Sequence, residues 1–312
     1  MLAIETSSSR RIGFACAIGA HTLWGLFPLY WRYLRHMDSV ELVGHRILWS
    51  FVLLLVLVPC LLSAKQLGGW PKFRKALTNP RYWMVYTLAG AMIAINWLAF
   101  VYAVTNDRIL DASLGYYINP LLNVLLGVAV LGERLGWQQW VAILLAAIGV
   151  GVMTVAGGGL PWPAVAMATS FAVYGLIKKK APLPALAGLL LETSVLVLPT
   201  LVYLSWLHSD GQGAFVSGTT TTRLLMLGGG VVTVVPLTLF ALATQRVALS
   251  TIGVLQYIGP TLQLIVGAVV AGEPFGKWRI VGFAFVWCGI LLFLIKLRAD
   301  NAVRRALAQE AA

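Results

Sequence analysis

The chain has 312 residues, of which 59% are hydrophobic and only 11% charged, with a formal net charge of +12. A soluble domain carries about 25% charged residues, and here the charges merely punctuate apolar runs of about 20 residues, the length that crosses a bilayer. An ordinary soluble fold is therefore excluded, a barrel of alternating strands of about 10 residues does not fit the pattern, and the surplus of Lys and Arg reads as a cytoplasmic bias rather than a nucleic-acid surface.

Ten apolar segments are predicted to span the membrane. The first, 12–34, places His21, Trp24, Pro28 and Trp31 along one stripe. It lacks the small-residue cleavage site of a signal peptide. The second, 40–62, opens with "DSVELVGHRILWS", in which Asp38, Glu41, His45 and Trp49 share a face and Arg46 lies beside it. These residues are either interfacial anchors or a charged group at depth. The linker 63–81 is basic, with Lys65, Lys72, Arg74, Lys75 and Arg81. The third segment, 82–105, holds Asn96 and Trp97 at its middle. The fourth, 110–131, carries Tyr116, Asn119, Pro120 and Asn123, and ends at Glu133 in an "LGE" turn read as structural.

The fifth segment, 137–155, is uniformly apolar. "GGGLPWP" follows as a flexible link, and the sixth segment, 162–178, contains Tyr174. The seventh, 184–207, carries Glu192 near its middle. An intramembrane carboxylate is a functional hypothesis by default. Three readings stay open for it: a proton carrier, an ion pair with a partner such as Arg46, or a protonated packing group. The eighth segment is 223–244. The ninth, 249–271, holds Gln256, Tyr257, Pro260 and Gln263 and leads to Glu273 in an "AGE" turn; the tenth is 277–297. Cys16, Cys60 and Cys288 all fall in apolar runs, so no disulfide framework is expected.

The fourth and fifth segments are repeated. Against residues 257–289, a shift of 140, residues 117–149 are identical at 11 of 33 positions, among them Tyr117, Pro120, Gly127 and Glu133. Five spans separate the copies, so they face opposite ways, the architecture many secondary transporters use. The expected fold is thus all-α and polytopic, ten transmembrane helices in an inverted five-plus-five repeat around a central cavity. The repeats divide at 1–156 and 157–312. Segments on the N-terminal side of the membrane hold 16 of the 23 Lys and Arg residues, which puts both termini in the cytoplasm.

Tyr116, Asn119 and Asn123 share a helix face, and the same shift places Gln256, Gly259 and Gln263 there. Pro120 and Pro260 each remove a backbone donor beside these amides. Polar groups are tolerated at depth only against protein or water. They therefore line a polar path between the halves, or they act as glue between helices. A hollow favours the first reading. A packed centre with mutually bonded amides favours the second.

No Walker-type phosphate loop, zinc-protease "HExxH", nucleophile elbow or Cys/His metal pattern is present, and the four histidines are scattered. No cofactor, metal or catalytic residue is expected, and an enzyme reading has nothing to rest on.

The segments "ELVGHRILWS", "NWLAFVYAV", "DASLGYYINPLLNVLLG", "FAVYGLIKKK", "LLLET" and "STIGVLQYIGPT" resemble the RarD-like, chloramphenicol-sensitive group of the EamA family, in the drug/metabolite transporter superfamily. The likeness covers about 12–295. It implies a permease of the bacterial inner membrane with a cavity lined by spans 1, 3, 4, 6, 8 and 9. It also implies shared positions at Trp24, Glu41, His45, Arg46, Asn96, Trp97, Tyr116, Asn119, Glu192, Gln256 and Tyr257. Where typical members carry an aromatic, this chain has His21. The family habit is export of amino acids and metabolites.

The resulting expectation is a secondary transporter of small amphipathic metabolites or drugs. Its partners are a small-molecule substrate, membrane lipid and a proton as coupling ion, without nucleic acid. Asn96, Asn119, Asn123, Gln256 and Gln263 would bind the substrate by hydrogen bonds, between walls of Trp24, Trp97, Tyr116, Tyr174 and Tyr257. Glu192, His45, Arg46 and Glu41 are the candidates for proton coupling or ion pairing, and Pro120 and Pro260 the helix breaks. The alternative is a non-transporting membrane sensor or assembly protein.

Overall fold

Lipid offers no partner to a free N–H or C=O, so a chain this apolar satisfies its backbone within helices. The computed structural model describes residues 7–34, 36–65, 67, 69–105, 109–156, 158–160, 162–211, 213–270 and 276–310, and among them there is no strand. Helix α1 (Ser7–Trp31) runs into a 3-10 turn (Arg32–Leu34), followed by α2 (Ser39–Ser63), α3 (Gly69–Leu77), α4 (Pro80–Thr105), α5 (Ile109–Leu131) and α6 (Trp137–Ala156). The second half comprises α7 (Trp162–Lys180), α8 (Ala185–Ser209), α9 (Ala214–Ser217), α10 (Thr220–Thr244), α11 (Leu249–Gln256), α12 (Ile258–Val270) and α13 (Lys277–Glu310).

Seven of these helices are long and apolar enough, among the described residues, to cross a membrane: α1, α2, α4, α5, α6, α8 and α10. The other three expected spans differ for visible reasons. Helix α7 ends in Lys178, Lys179 and Lys180. The expected ninth span is interrupted at Tyr257 and so forms two helices, α11 and α12. Helix α13 has its apolar stretch at Ile280–Lys296 and continues beyond it as a polar helix. The basic linker is partly helical: in α3, Phe73 and Ala76 are buried and the Trp70 indole N–H donates to Ser63 Oγ at 3.1 Å.

Large apolar side chains such as Met84, Val155, Leu198 and Val202 are exposed on the outside of the bundle, where lipid rather than water suits them. Inside, α2 packs on α8 and α10, α1 on α10 and α12, α4 on α7 and α8, α5 on α7 and α11, and α6 on α13. Small residues permit the closest crossing: a Cβ added to Gly289 would meet the Ala142 carbonyl oxygen, the close backbone approach on which membrane helix packing relies.

Helix starts are capped in turn. Asp38 accepts from the N–H groups of Val40 (2.9 Å) and Glu41 (3.0 Å), and Thr219 Oγ1 accepts from Thr222 N (3.2 Å). Helix α11 borrows its cap from the other half. Glu133, just beyond α5, accepts from the N–H groups of Leu249 (2.7 Å) and Ser250 (3.0 Å). The "LGE" turn is structural, as its sequence suggests. Its counterpart "AGE" with Glu273 lies outside the described residues.

Candidate functional site

The paired amides meet where α5 crosses α11. Gly253 brings the helices together, since a Cβ there would lie 2.6 Å from the Pro120 carbonyl oxygen. Asn123 Nδ2 donates to Gln256 Oε1 (2.6 Å) and to Asn119 Oδ1 (3.1 Å). Gln256 Nε2 also donates to Asn119 Oδ1, and Asn119 Nδ2 donates to the Ala168 carbonyl on α7 at 2.7 Å. Three helices are thus tied by one buried cluster. Asn96 on α4 acts the same way, donating to the Met167 carbonyl at 2.8 Å, and Gln263 Nε2 donates to the Trp24 carbonyl at 3.1 Å.

In this conformation, therefore, the amides satisfy one another and nearby carbonyls, the arrangement that the packing alternative describes. The apolar crevice lined by Pro120, Val124, Ala146, Gly253, Tyr257 and Gly289 has room for about one water-sized sphere. A path for a solute along this face requires the cluster to part. Two groups within it keep unused capacity: Asn123 Oδ1 and the Tyr257 hydroxyl are buried without a hydrogen-bond partner among the described residues.

Beside the amides stands an aromatic stack. Trp24 contacts His21, Phe171 and Phe240 at ring-centroid distances of 5.4, 5.5 and 5.6 Å, and Tyr174 stacks on Phe240 at 6.1 Å. His21 is buried in this stack, its Nδ1 2.6 Å from the Ala17 carbonyl oxygen. The imidazole takes a ring position, which accounts for an aromatic being acceptable there. Tyr116, half-buried on α5, faces Phe100 rather than this stack.

Glu192 does not pair with Arg46. Its Oε1 lies 2.6 Å from Lys178 Nζ, and the Tyr174 hydroxyl donates to its Oε2 at 3.1 Å. The ammonium also lies over the rings of Tyr86 (5.9 Å) and Tyr174 (5.7 Å), and both charged side chains are at most 2% exposed. Read from the sequence, Lys178 belongs to a basic helix end turned toward the cytoplasm. In the fold, the short turn between α7 and α8 brings it back along α8 to the carboxylate.

Arg46 has a different setting. Its guanidinium lies over Trp31 (5.0 Å) and Trp97 (4.8 Å), and its Nε donates to Thr233 Oγ1 at 3.1 Å. A delocalised cation between indole faces is a stable arrangement without a carboxylate. Glu41 and His45 lie nearby on α2, 3.6 Å apart, and are joined by His208 of α8. The histidines are scattered in sequence, but these two meet in space.

The residues that sequence reasoning missed are Lys178, Phe171, Phe240, Thr233 and His208. The short α7–α8 connection was a usable signal for Lys178; the others come together only through helix crossings.

Residues 11–155 match the EamA-like transporter family. An "Uncharacterized transporter" of Vibrio cholerae is 42% identical over 94% of this chain and 96% of that protein. "Protein RarD" of Streptomyces exfoliatus is 40% identical over 93% of this chain and 90% of its own. A solved crystal structure superposes with a TM-score of 0.66 over 94% of this chain and 99% of that one, at 19% identity.

Proposed function

We propose, of a chain that belongs to the EamA-like transporter family and is related over nearly its whole length to proteins named RarD, that it carries small amphipathic metabolites or drugs across the bacterial inner membrane. It does so as a secondary transporter, by alternating access between ten membrane-spanning segments. Residues 1–156 and 157–312 are its two repeats, opposite in orientation, with both termini in the cytoplasm.

One observation carries this reading. Let α1, α2, α4, α5 and α6 change places with α7, α8, α10, α11–α12 and α13. The contact of α1 with α10 becomes that of α7 with α4, and α1 with α12 becomes α7 with α5. That of α2 with α10 becomes α8 with α4, while α2–α8, α5–α11 and α6–α13 map onto themselves. Such exchangeability is what two mirror-related states demand.

On this reading the amide cluster is a closed gate. When it parts, Asn96, Asn119, Asn123, Gln256 and Gln263 offer hydrogen bonds to solute, and Trp24, Trp97, Tyr116, Tyr174 and Tyr257 form the walls. Glu192 takes up the proton, releasing Lys178. The mutual bonding of the amides favours a second reading, a packed, non-transporting sensor or assembly protein.

Flux into liposomes separates them. Purified protein is expected to move at least one amino acid, nucleoside or amphipathic drug, faster under a pH gradient, and Glu192→Gln is expected to abolish the pH response. A folded protein with no flux across such a panel favours the sensor. A pH response unchanged in Glu192→Gln removes Glu192 from coupling.

A further inference from the structure

The cluster of Glu41, His45 and His208 has three ring nitrogens without a partner. His45 Nδ1, His45 Nε2 and His208 Nε2 are all buried and make no hydrogen bond among the described residues. Buried polar atoms are paired as a rule, and each exception calls for a cause. One orphan from each ring, His45 Nε2 and His208 Nε2, beside one carboxylate calls for a shared cause. One ligand atom from each residue lies within 4.8 Å of the others, and His45 is 1% and Glu41 2% exposed.

We propose that Glu41, His45 and His208 bind one divalent transition-metal ion of the zinc type, tying α2 to α8. Two imidazoles and a carboxylate are a zinc donor set, with nitrogen and oxygen at about 2.0–2.2 Å. Calcium and magnesium prefer oxygen donors alone. Ligands at that distance with tetrahedral angles stand about 3.4 Å apart. The His45 Nε2–Glu41 Oε1 separation, 3.6 Å, is already close to this. The i, i+4 spacing on α2 sets that edge of the site.

The rest of the contraction falls on His208. It is half-buried and one residue from the end of α8, near the surface from which an ion would arrive. The other two ligands are held. His45 stacks on Phe215 at 5.0 Å and 25°, and Glu41 Oε1 accepts from Phe215 N at 3.3 Å. Gly213 shapes the space for the His208 ring: a Cβ there would fall 1.9 Å from its Cδ2. Three protein ligands leave a fourth position open.

The inference rests on side-chain geometry and not on the transport reading. Its test is a Co2+ titration of the chelator-stripped full-length protein in lipid nanodiscs, followed by Zn2+ competition. Wild type is expected to take up one Co2+ per chain with the intense visible bands of a tetrahedral site, bleached by Zn2+. His45→Ala and His208→Ala are each expected to weaken binding more than the roughly 10–100-fold that loss of an outer-shell partner costs. Gly213→Ala is expected to weaken it by displacing the His208 ring, and exposed His36→Ala to leave it unchanged. Zn2+ is expected to raise the melting temperature of wild type and not of His208→Ala, a variant at the helix end chosen because it keeps the bundle intact. Co2+ that stays pale and octahedral overturns the proposal. So does binding equal in wild type, His45→Ala and His208→Ala.

Discussion

Helix α5 and the α11–α12 pair carry one sequence pattern 140 residues apart, yet their backbones differ. Helix α5 runs unbroken through Pro120, whereas its copy stops at Gln256 and restarts at Ile258, before Pro260. Each proline deprives a carbonyl of its donor in the same register, so proline alone does not decide where the chain breaks. The neighbours do. Helix α11 packs on α5 and α12 packs on α1, so the break falls where the copy changes partners. A bond differs as well. The Tyr117 hydroxyl donates to the Pro260 carbonyl at 3.3 Å, while Tyr257, its counterpart, has a buried hydroxyl with no partner among the described residues. Repetition in sequence thus specifies two shapes, and the surroundings choose which half takes which.

The halves differ most in charge, and there the largest effect is expected. Lys178 and Glu192 form a buried Lys–carboxylate pair in the second half, with no counterpart in the first among the described residues. Breaking such a pair by Lys178→Met or Glu192→Gln leaves one buried charge and is expected to cost about 3–5 kcal/mol. Replacing both residues by Met and Leu recovers most of that loss, read from thermal unfolding in detergent.

Next comes the cluster that joins the copies. Gln256→Leu takes one partner each from Asn119 and Asn123 inside the bundle, and is expected to destabilise by about 1–3 kcal/mol. The same unfolding assay checks it, and amide exchange in α11 should rise beside it. An undisturbed melting temperature would show that the amides exchange their bonds for water without cost.

The smallest effects sharpen the comparison itself. Tyr117→Phe is expected to cost about 0.5–1.5 kcal/mol, the worth of one hydrogen bond, and Tyr257→Phe almost nothing, since its hydroxyl bonds none of the described residues. If the halves exchange as proposed, the roles would reverse, with Tyr257 reaching the Pro120 carbonyl. Cysteine-accessibility probes at the two membrane faces should therefore shift in opposite directions in the two variants.

Much of the architecture was legible because lipid makes composition decisive. Among the described residues the apolar segments are helical apart from the interruption at Tyr257, and the repeat at 117–149 and 257–289 marked the helices that now cross. Glu133 was rightly read as structural. Helix breaks were read at both Pro120 and Pro260. The first was wrong, since α5 continues through Pro120, and the second falls at Tyr257 with Pro260 inside α12. The two prolines look alike and only their neighbours distinguish them. Glu192 was found, but Arg46 was the wrong partner: charge along the sequence does not reveal that Arg46 is occupied by two indole faces. The amides were found too, and their mutual bonding could not be foreseen from periodicity, which fixes a face but not what it touches.

Glu133 has a mechanical consequence. By gripping the first N–H groups of α11 it anchors that helix to the far end of α5, favourably, since a carboxylate suits the positive end of a helix dipole. With that end clamped, α11 becomes a lever on a fulcrum. Its eight residues give an arm of about 12 Å, so a tilt of about 20° sweeps the Tyr257 end through about 4 Å while Leu249 scarcely moves. Leverage of that size exceeds the reach of a hydrogen bond, so a modest rocking at the clamp would be enough to part Gln256 from Asn119 and Asn123 at the tip.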